Sequence, residues 1–180
     1  MKRALLLTLC VMFAASMAFA QAGNIGVFAD VAGTNCNLSN AMGFAQFNVV
    51  HVNSPGTTAC QFKLTVYGTA LTFVGQMSAY NVIGTAPVGI AVAYGACLVS
   101  PIHALTATYM GISAACDRLA VEADPTAVPP GIYVTDCATP VPHLLTIAKG
   151  GIGYINGNLS CNCNVPAEDT SWGQIKALYQ

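Results

Sequence analysis

Apolar and polar side chains alternate along much of the chain, most clearly over residues 60–67. On an extended backbone, one side of this stretch carries Cys60, Phe62, Leu64 and Val66, and the other carries Gln61, Lys63, Thr65 and Tyr67. A two-residue period is typical of a strand with one buried face. Weaker runs of this kind cover residues 25–31, 44–52, 71–74, 88–98, 102–110, 119–123, 132–137, 144–148 and 151–155. The pattern therefore predicts nine or ten short strands.

Glycine, proline and asparagine cluster between these runs, at residues 53–56, 84–87 and 124–131. Asn156-Gly157 is a favoured two-residue hairpin turn, because both positions adopt positive φ. Short strands at this spacing predict an all-β fold, a single antiparallel β-sandwich of Ig-like, cohesin-like or jelly-roll type. We expect residues 21–164 to form this domain.

The sequence changes character near residue 165, where a proline and two acids precede a short amphipathic stretch. Ser171 and Gln174 match a helix capping box. The pattern predicts a linker and C-terminal helical tail over residues 165–180, with one face formed by Trp172, Ile175, Leu178 and Tyr179. Two interpretations stay open: the helix docks on its own sandwich, or the tail is a detachable element that another protein binds through Trp172.

The first twenty residues have the three parts of a secretory signal peptide. Lys2 and Arg3 precede an apolar stretch over residues 4–15, and the small-residue end at 18–20 predicts cleavage before Gln21. No other segment has the ~20 apolar residues that span a bilayer, so we expect no membrane span after cleavage. The sequence predicts a secreted protein and leaves open the periplasm, the cell surface or the medium.

Charged residues make up only 7% of the chain. After signal cleavage four basic side chains oppose seven acidic ones, which gives a net charge of −3. Such a surface has no basic stripe, which argues against nucleic acid as a partner. Low charge also favours self-association, because little repulsion separates copies. We expect a protein or carbohydrate partner at the cell exterior.

Seven cysteines remain after cleavage, and in an exported chain they predict disulfides. Cys97 and Cys116 flank a predicted hairpin, so we expect them to pair. Cys161 and Cys163 lie two residues apart and are expected to bond different partners, with Cys36 and Cys137 as the candidates. Cys60 lies on the apolar side of its strand and is the expected free thiol, acting as a small buried hydrophobe.

Sequence motifs of hydrolases, zinc proteases and nucleotide-binding loops are absent. We therefore predict no catalytic residues, no cofactor and no metal site. His51, His103 and His143 are interpreted as hydrogen-bonded structural residues. The expected function is a non-catalytic structural, adhesive or binding module. The alternatives are a fimbrial-type or self-assembling surface subunit and, less favoured, a secreted hydrolase that joins His103 to an aspartate.

Segments 29–36, 89–97 and 169–179 carry a resemblance to known families. With the signal peptide, they resemble a group of secreted bacterial β-sandwich proteins of uncharacterised function that end in W-G-x-[IV]-K-x-[LM]-[YF], a tail similar to a sorting signal. The run 62–67, the segment 71–73 and the later strand 89–93 distantly resemble cohesin-like and carbohydrate-binding sandwiches. The size, low charge and penultimate Tyr179 are similar to fimbrial subunits. These resemblances imply a fold and a surface role, and no enzyme activity.

Overall fold

Strands form all the regular structure that the computed structural model describes, which covers residues 22–40, 43–68, 71–147 and 149–161. In chain order they are β1 (Asn24–Phe28), β2 (Asn37–Leu38), β3 (Phe44–Val52), β4 (Thr57–Tyr67), β5 (Thr72–Met77), β6 (Asn81–Thr85), β7 (Gly89–Leu98), β8 (Ile102–Met110), β9 (Asp117–Glu122), β10 (Ile132–Thr135), β11 (Leu144–Ile147) and β12 (Ile152–Ile155). Within these segments, no helix has the length and apolarity needed to cross a membrane.

The strands form a β-sandwich, which confirms the predicted all-β class. One sheet has four strands in the order β1-β3-β8-β5, and the other has eight. In the larger sheet the order β11-β10-β4-β9-β12-β2 is extended by β7, which pairs with β4, and by β6, which pairs with β7. All these pairings are antiparallel except that between β12 and β2.

Strand β4 is the centre of the larger sheet because its eleven residues are long enough to pair with three other strands. Residues 59–61 pair with β10 along one edge and with β7 along the other, and residues 63–67 pair with β9. Cys60, Phe62 and Leu64 are buried, whereas Lys63 and Thr65 stay partly exposed. The alternation predicted for this strand is therefore confirmed.

The core between the sheets comes from the inward side of each strand. Tyr109 on β8 lies at its centre, 6.0 Å from the ring of Phe47 and 5.5 Å from that of Phe73, measured between centroids. Each fully buried side chain of this size contributes about 1.5–3 kcal/mol of hydrophobic stabilisation. At the β5 edge, Gln76 ties the two sheets together, since its amide donates to the Gly84 carbonyl and accepts from the Ala86 N–H.

The sequence pattern missed two strands and misjudged one turn. β2 has only two residues, and the edge strand β6 has an exposed Ile83 in place of a buried alternation. At the predicted hairpin turn, Asn156 has the expected positive φ of 51°, but no strand returns after it within the described residues. Instead Asn156 accepts from the Asn40 N–H and donates to the Ser113 carbonyl, which joins two loops.

The expected pairing of Cys97 with Cys116 is wrong. Cys97 bonds to Cys137, and Cys116 bonds to Cys161. The reason is topological: β7 and β8 belong to different sheets, so the segment between Cys97 and Cys116 crosses the sandwich and forms no hairpin. Cys97 and Cys137 meet beside the start of β4, where a Cβ at Gly56 would lie 3.2 and 3.1 Å from their sulfurs.

The remaining cysteines differ in state. Cys36 is also disulfide-bonded. Cys60 is a free, buried thiol at the centre of β4, and its sulfur accepts a hydrogen bond from the Tyr94 hydroxyl at 3.0 Å. Burial raises the pKa of this thiol to about 12, so it stays protonated and unreactive in the folded chain. Cys163 and the predicted tail helix lie outside the described residues.

His51 is fully buried near the start of the described chain. Its Nε2 lies 2.8 Å from the Ala22 carbonyl and donates to it, while Nδ1 has no hydrogen-bond partner among the described residues. Protonation would add a second N–H with no acceptor, so burial lowers the pKa of His51. The neutral His51 ring therefore holds the backbone at Ala22, just before β1, by this hydrogen bond.

We expect non-reducing peptide mapping of the mature protein to recover Cys97–Cys137 and Cys116–Cys161 peptides. The bonds close loops with sequence separations of 40 and 45 residues. Loops of this length predict a loss of about 3–4 kcal/mol in unfolding free energy when both partners of one bond are replaced by serine. A linked Cys97–Cys116 peptide would contradict the assignment.

We expect the unfolding free energy to decrease as the pH falls from 7.5 to 5. The pKa of His51 is lowered on folding, so the unfolded chain takes up the proton first, with a limiting slope of about 1.4 kcal/mol per pH unit for one group. Denaturant titrations should show a flatter profile for His51→Gln. Equal slopes in wild type and His51→Gln would disprove this role.

Candidate functional site

Among the described residues, the outward face of the four-stranded sheet carries no aspartate, glutamate, lysine or arginine side chain. Cross-strand pairs place three rows on it, with one residue each from β3, β8 and β5. These rows are Phe44–Met110–Thr72, Gln46–Thr108–Gly75 and Asn48–Thr106–Met77. We call these nine residues, together with Val74 beside them, the uncharged face.

The apolar members of the uncharged face are well exposed: Phe44 by 55%, Met110 by 54%, Val74 by 53% and Met77 by 72%. Large apolar side chains that form an exposed cluster on one face of a sheet often mark an interaction site. Methionine adapts its shape to a partner because its side chain is unbranched and flexible.

The polar members of this face are held in place by a chain of hydrogen bonds. The Thr106 hydroxyl donates to Asn48 Oδ1 at 3.0 Å, and Asn48 Nδ2 donates to the Ala29 carbonyl at 3.0 Å. His103 Nε2 lies 3.0 Å from the same hydroxyl and therefore donates to it. Partial burial lowers the pKa of His103, which agrees with a neutral ring.

The outward face of the larger sheet has the opposite character, because the three basic side chains of the described residues gather there. Lys63 on β4 lies opposite Glu122 on β9, and Tyr67 lies opposite Arg118. The Arg118 guanidinium sits 4.5 Å above the centre of the Tyr67 ring. Lys149 lines an adjoining groove together with Glu122. We call these five residues and Thr65, which lies between Lys63 and Tyr67, the cationic face.

Glu122 is the one acid on this face, and its oxygens are already engaged. They accept hydrogen bonds from the hydroxyls of Thr65 and Tyr67. Partial burial acts to raise the pKa of Glu122, but these bonds and the charges of Lys63 and Arg118 outweigh it, so the pKa lies below its usual value. Within the described part of the chain, Lys63, Arg118 and Lys149 form no direct ion pair. The face therefore keeps positive charge available for an anionic group.

The groove beside Glu122 opens where β9 and β12 separate from β10 and β11. Its volume is about 530 Å³, and Ala120, Ile132 and Ile152 provide much of its apolar lining. Glu122 and Lys149 contribute the charged part of the wall. A volume in this range accommodates a large side chain or a small ligand.

The other titratable groups serve the structure. Asp136 accepts from the backbone N–H groups of Ala138 and His143 and from His143 Nδ1 at 2.9 Å, which closes the loop after β10. His103 bonds to Thr106 and to no described aspartate, so the hydrolase alternative built on that pair is not supported. In the described segments, no three histidine, cysteine, aspartate or glutamate side chains group closely enough to hold a metal ion.

The residues predicted as functional are only partly within the described chain. The disulfide cysteines that are described hold strands and loops together, and Cys60 belongs to the core. Trp172, Ile175, Leu178 and Tyr179 lie outside the described residues. Sequence reasoning missed the cationic face. Lys63 was predicted to point outward, but its proximity to Arg118 and Lys149 depends on strand pairing, which the sequence pattern does not contain.

Comparisons with known proteins find a distant similarity in structure. No protein-family model matches the chain, and no curated protein matches it. Among solved structures, the chain is similar to the seventh ScaB type I cohesin from Pseudobacteroides cellulosolvens, with a TM-score of 0.47 and 12% sequence identity. The match covers 80% of this chain and 96% of the cohesin. The two share a distant resemblance in structure.

Proposed function

We propose that this chain is an exported, non-catalytic structural or adhesive module, and that it contacts a second copy of itself through the uncharged face. The observation that supports this most directly is the set of exposed apolar side chains on that face, at Phe44, Val74, Met77 and Met110. The disulfides agree with an oxidising compartment, where such bonds persist.

A second copy is the occupant that the chemistry favours. A face without charge brings no like charges together when it meets its own copy across a two-fold axis. A strongly charged partner, by contrast, would bury charges for which this face offers no counter-charge. The uncharged face is less suited to a carbohydrate partner, because Phe44 is its one aromatic ring.

The size of the face sets the expected strength of the contact. Three strands spaced by ~4.8 Å give a width of ~14 Å, and six residues along a strand give a length of ~20 Å. The projected area of ~280 Å² is about a third of the ~800 Å² per partner that a stable complex buries. We therefore expect weak, reversible association. In a surface layer or filament, many such contacts would act together.

We predict that mature protein self-associates in sedimentation velocity experiments as its concentration rises, and that Met110→Lys or Phe44→Lys abolishes this. Each substitution places like charges opposite one another in a symmetric contact, which costs affinity by repulsion and desolvation. Ile83→Lys is the matched control, because Ile83 is 79% exposed on the edge strand β6 of the other sheet.

Three results would count against the proposal. A wild-type chain that stays monomeric at all accessible concentrations would refute self-association. Loss of association in Ile83→Lys but not in Met110→Lys would move the contact to the β6 edge. Binding to an oligosaccharide that Phe44→Ala removes, without self-association, would make the face a carbohydrate site. Growth of species without limit would identify an open assembly and support the self-assembling subunit.

A further inference from the structure

The cationic face has an unusual concentration of charge for a chain in which only 7% of residues are charged. Lys63, Arg118 and Lys149 are all the basic side chains of the described residues, and they lie around Glu122. The next acid along the chain, Asp124, is buried and accepts hydrogen bonds from Gln61 and Thr126. Glu122 stays ionised and offsets one of the three positive charges, so the cationic face keeps a net charge of +2 for a partner of opposite charge. A partner that fits this face carries two carboxylates next to an apolar side chain that can enter the groove.

The C-terminal segment of this same chain carries that chemistry. Glu168 and Asp169 are its two acids, and Trp172 follows them as the chain's single tryptophan. We propose that this segment docks on the cationic face of its own chain, with Glu168 and Asp169 against Arg118 and Lys63 and with Trp172 in the groove beside Lys149.

The covalent structure places the start of this segment next to the face. Cys161 is bonded to Cys116, and their Cα atoms are 5.6 Å apart. Arg118 is two residues beyond Cys116, so its Cα lies within ~13 Å of that of Cys161. Glu168 is the seventh residue after Cys161, and seven residues span at most ~24 Å. This reach exceeds the ~13 Å between Cys161 and Arg118, so Glu168 and Asp169 can contact Arg118.

The order of groups along the segment matches their order along β9. From the Cys116 end, β9 presents first Arg118 and then, four residues later, Glu122 at the groove. In the segment the acids come first and Trp172 follows Glu168 by four residues. Four residues of strand cover ~13 Å, and four residues of any chain can span up to ~14 Å. With Glu168 at Arg118, Trp172 is therefore within reach of the groove.

Trp172 provides an intrinsic probe in the full mature protein, since no other tryptophan contributes to the emission. In the docked chain, the emission should be blue-shifted and less quenched by acrylamide than in the unfolded protein. Arg118→Gln should lower the docking equilibrium constant about two- to fivefold, the factor that one exposed charge pair supplies, and quenching should rise accordingly. Added salt should act in the same direction.

A double-mutant cycle separates this contact from other effects. Glu168→Gln with Asp169→Asn should reproduce the effect of Arg118→Gln, and the combination of all three should add little, because each change removes the same interaction. Asn81→Asp is the matched control: it changes the net charge by the same unit at an exposed position of the edge strand β6, which belongs to neither face and which β7 separates from β4. Lys149→Gln is a second test in case Arg118→Gln fails to fold, as judged by circular dichroism.

Four outcomes would overturn the proposal. If acrylamide quenches Trp172 equally in the native and in the unfolded wild-type protein, the segment is not docked. Protection that survives both Arg118→Gln and Lys149→Gln would place the tail elsewhere. Fully additive effects in the cycle would show that Arg118 and the two acids act separately. Protection that depends on protein concentration would mean that the acids belong to a second copy.

Discussion

The register of β4 against its neighbours is the constraint on which the rest of this structure depends. Its eleven residues pair with β7, β10 and β9, so the larger sheet is organised on this one strand. Because successive side chains point to opposite faces, a shift by one residue would exchange Cys60, Phe62 and Leu64 with their polar neighbours. The buried core and the cationic face are thus two sides of a single alternation.

Local pattern was enough to predict strands but not to decide which sheet each strand joins. The runs at 88–98 and 102–110 were predicted correctly as strands, and their sequence proximity suggested a hairpin between Cys97 and Cys116. In the structure β7 and β8 lie in different sheets, so the two cysteines bond to residues 40 and 45 positions away in sequence. Pairing of this kind depends on contacts between distant strands, and side-chain periodicity contains no information about them.

Candidate sites were harder to predict than the fold for a related reason. Low overall charge was evident in the composition, but its distribution was not. Lys63, Arg118 and Lys149 are scattered over 87 positions of sequence and become neighbours only through the pairing of β4 with β9 and the groove beside them. The uncharged face likewise takes its exposed residues from β3, β5 and β8. Taken alone, each of these strands shows only the ordinary alternation of apolar and polar side chains.

The two proposed contacts should respond differently to solution conditions, because different forces would stabilise them. Contacts on the uncharged face depend on burial of apolar surface, which ordinary salt concentrations weaken little. Contacts on the cationic face depend on exposed charges, and these are screened over about 8 Å at physiological ionic strength. Salt should therefore release the acids from Arg118 and Lys63 while contact between copies persists. The two proposed contacts would be independent of each other, because they lie on the outward sides of different sheets and the core of Phe47, Phe62 and Tyr109 separates them.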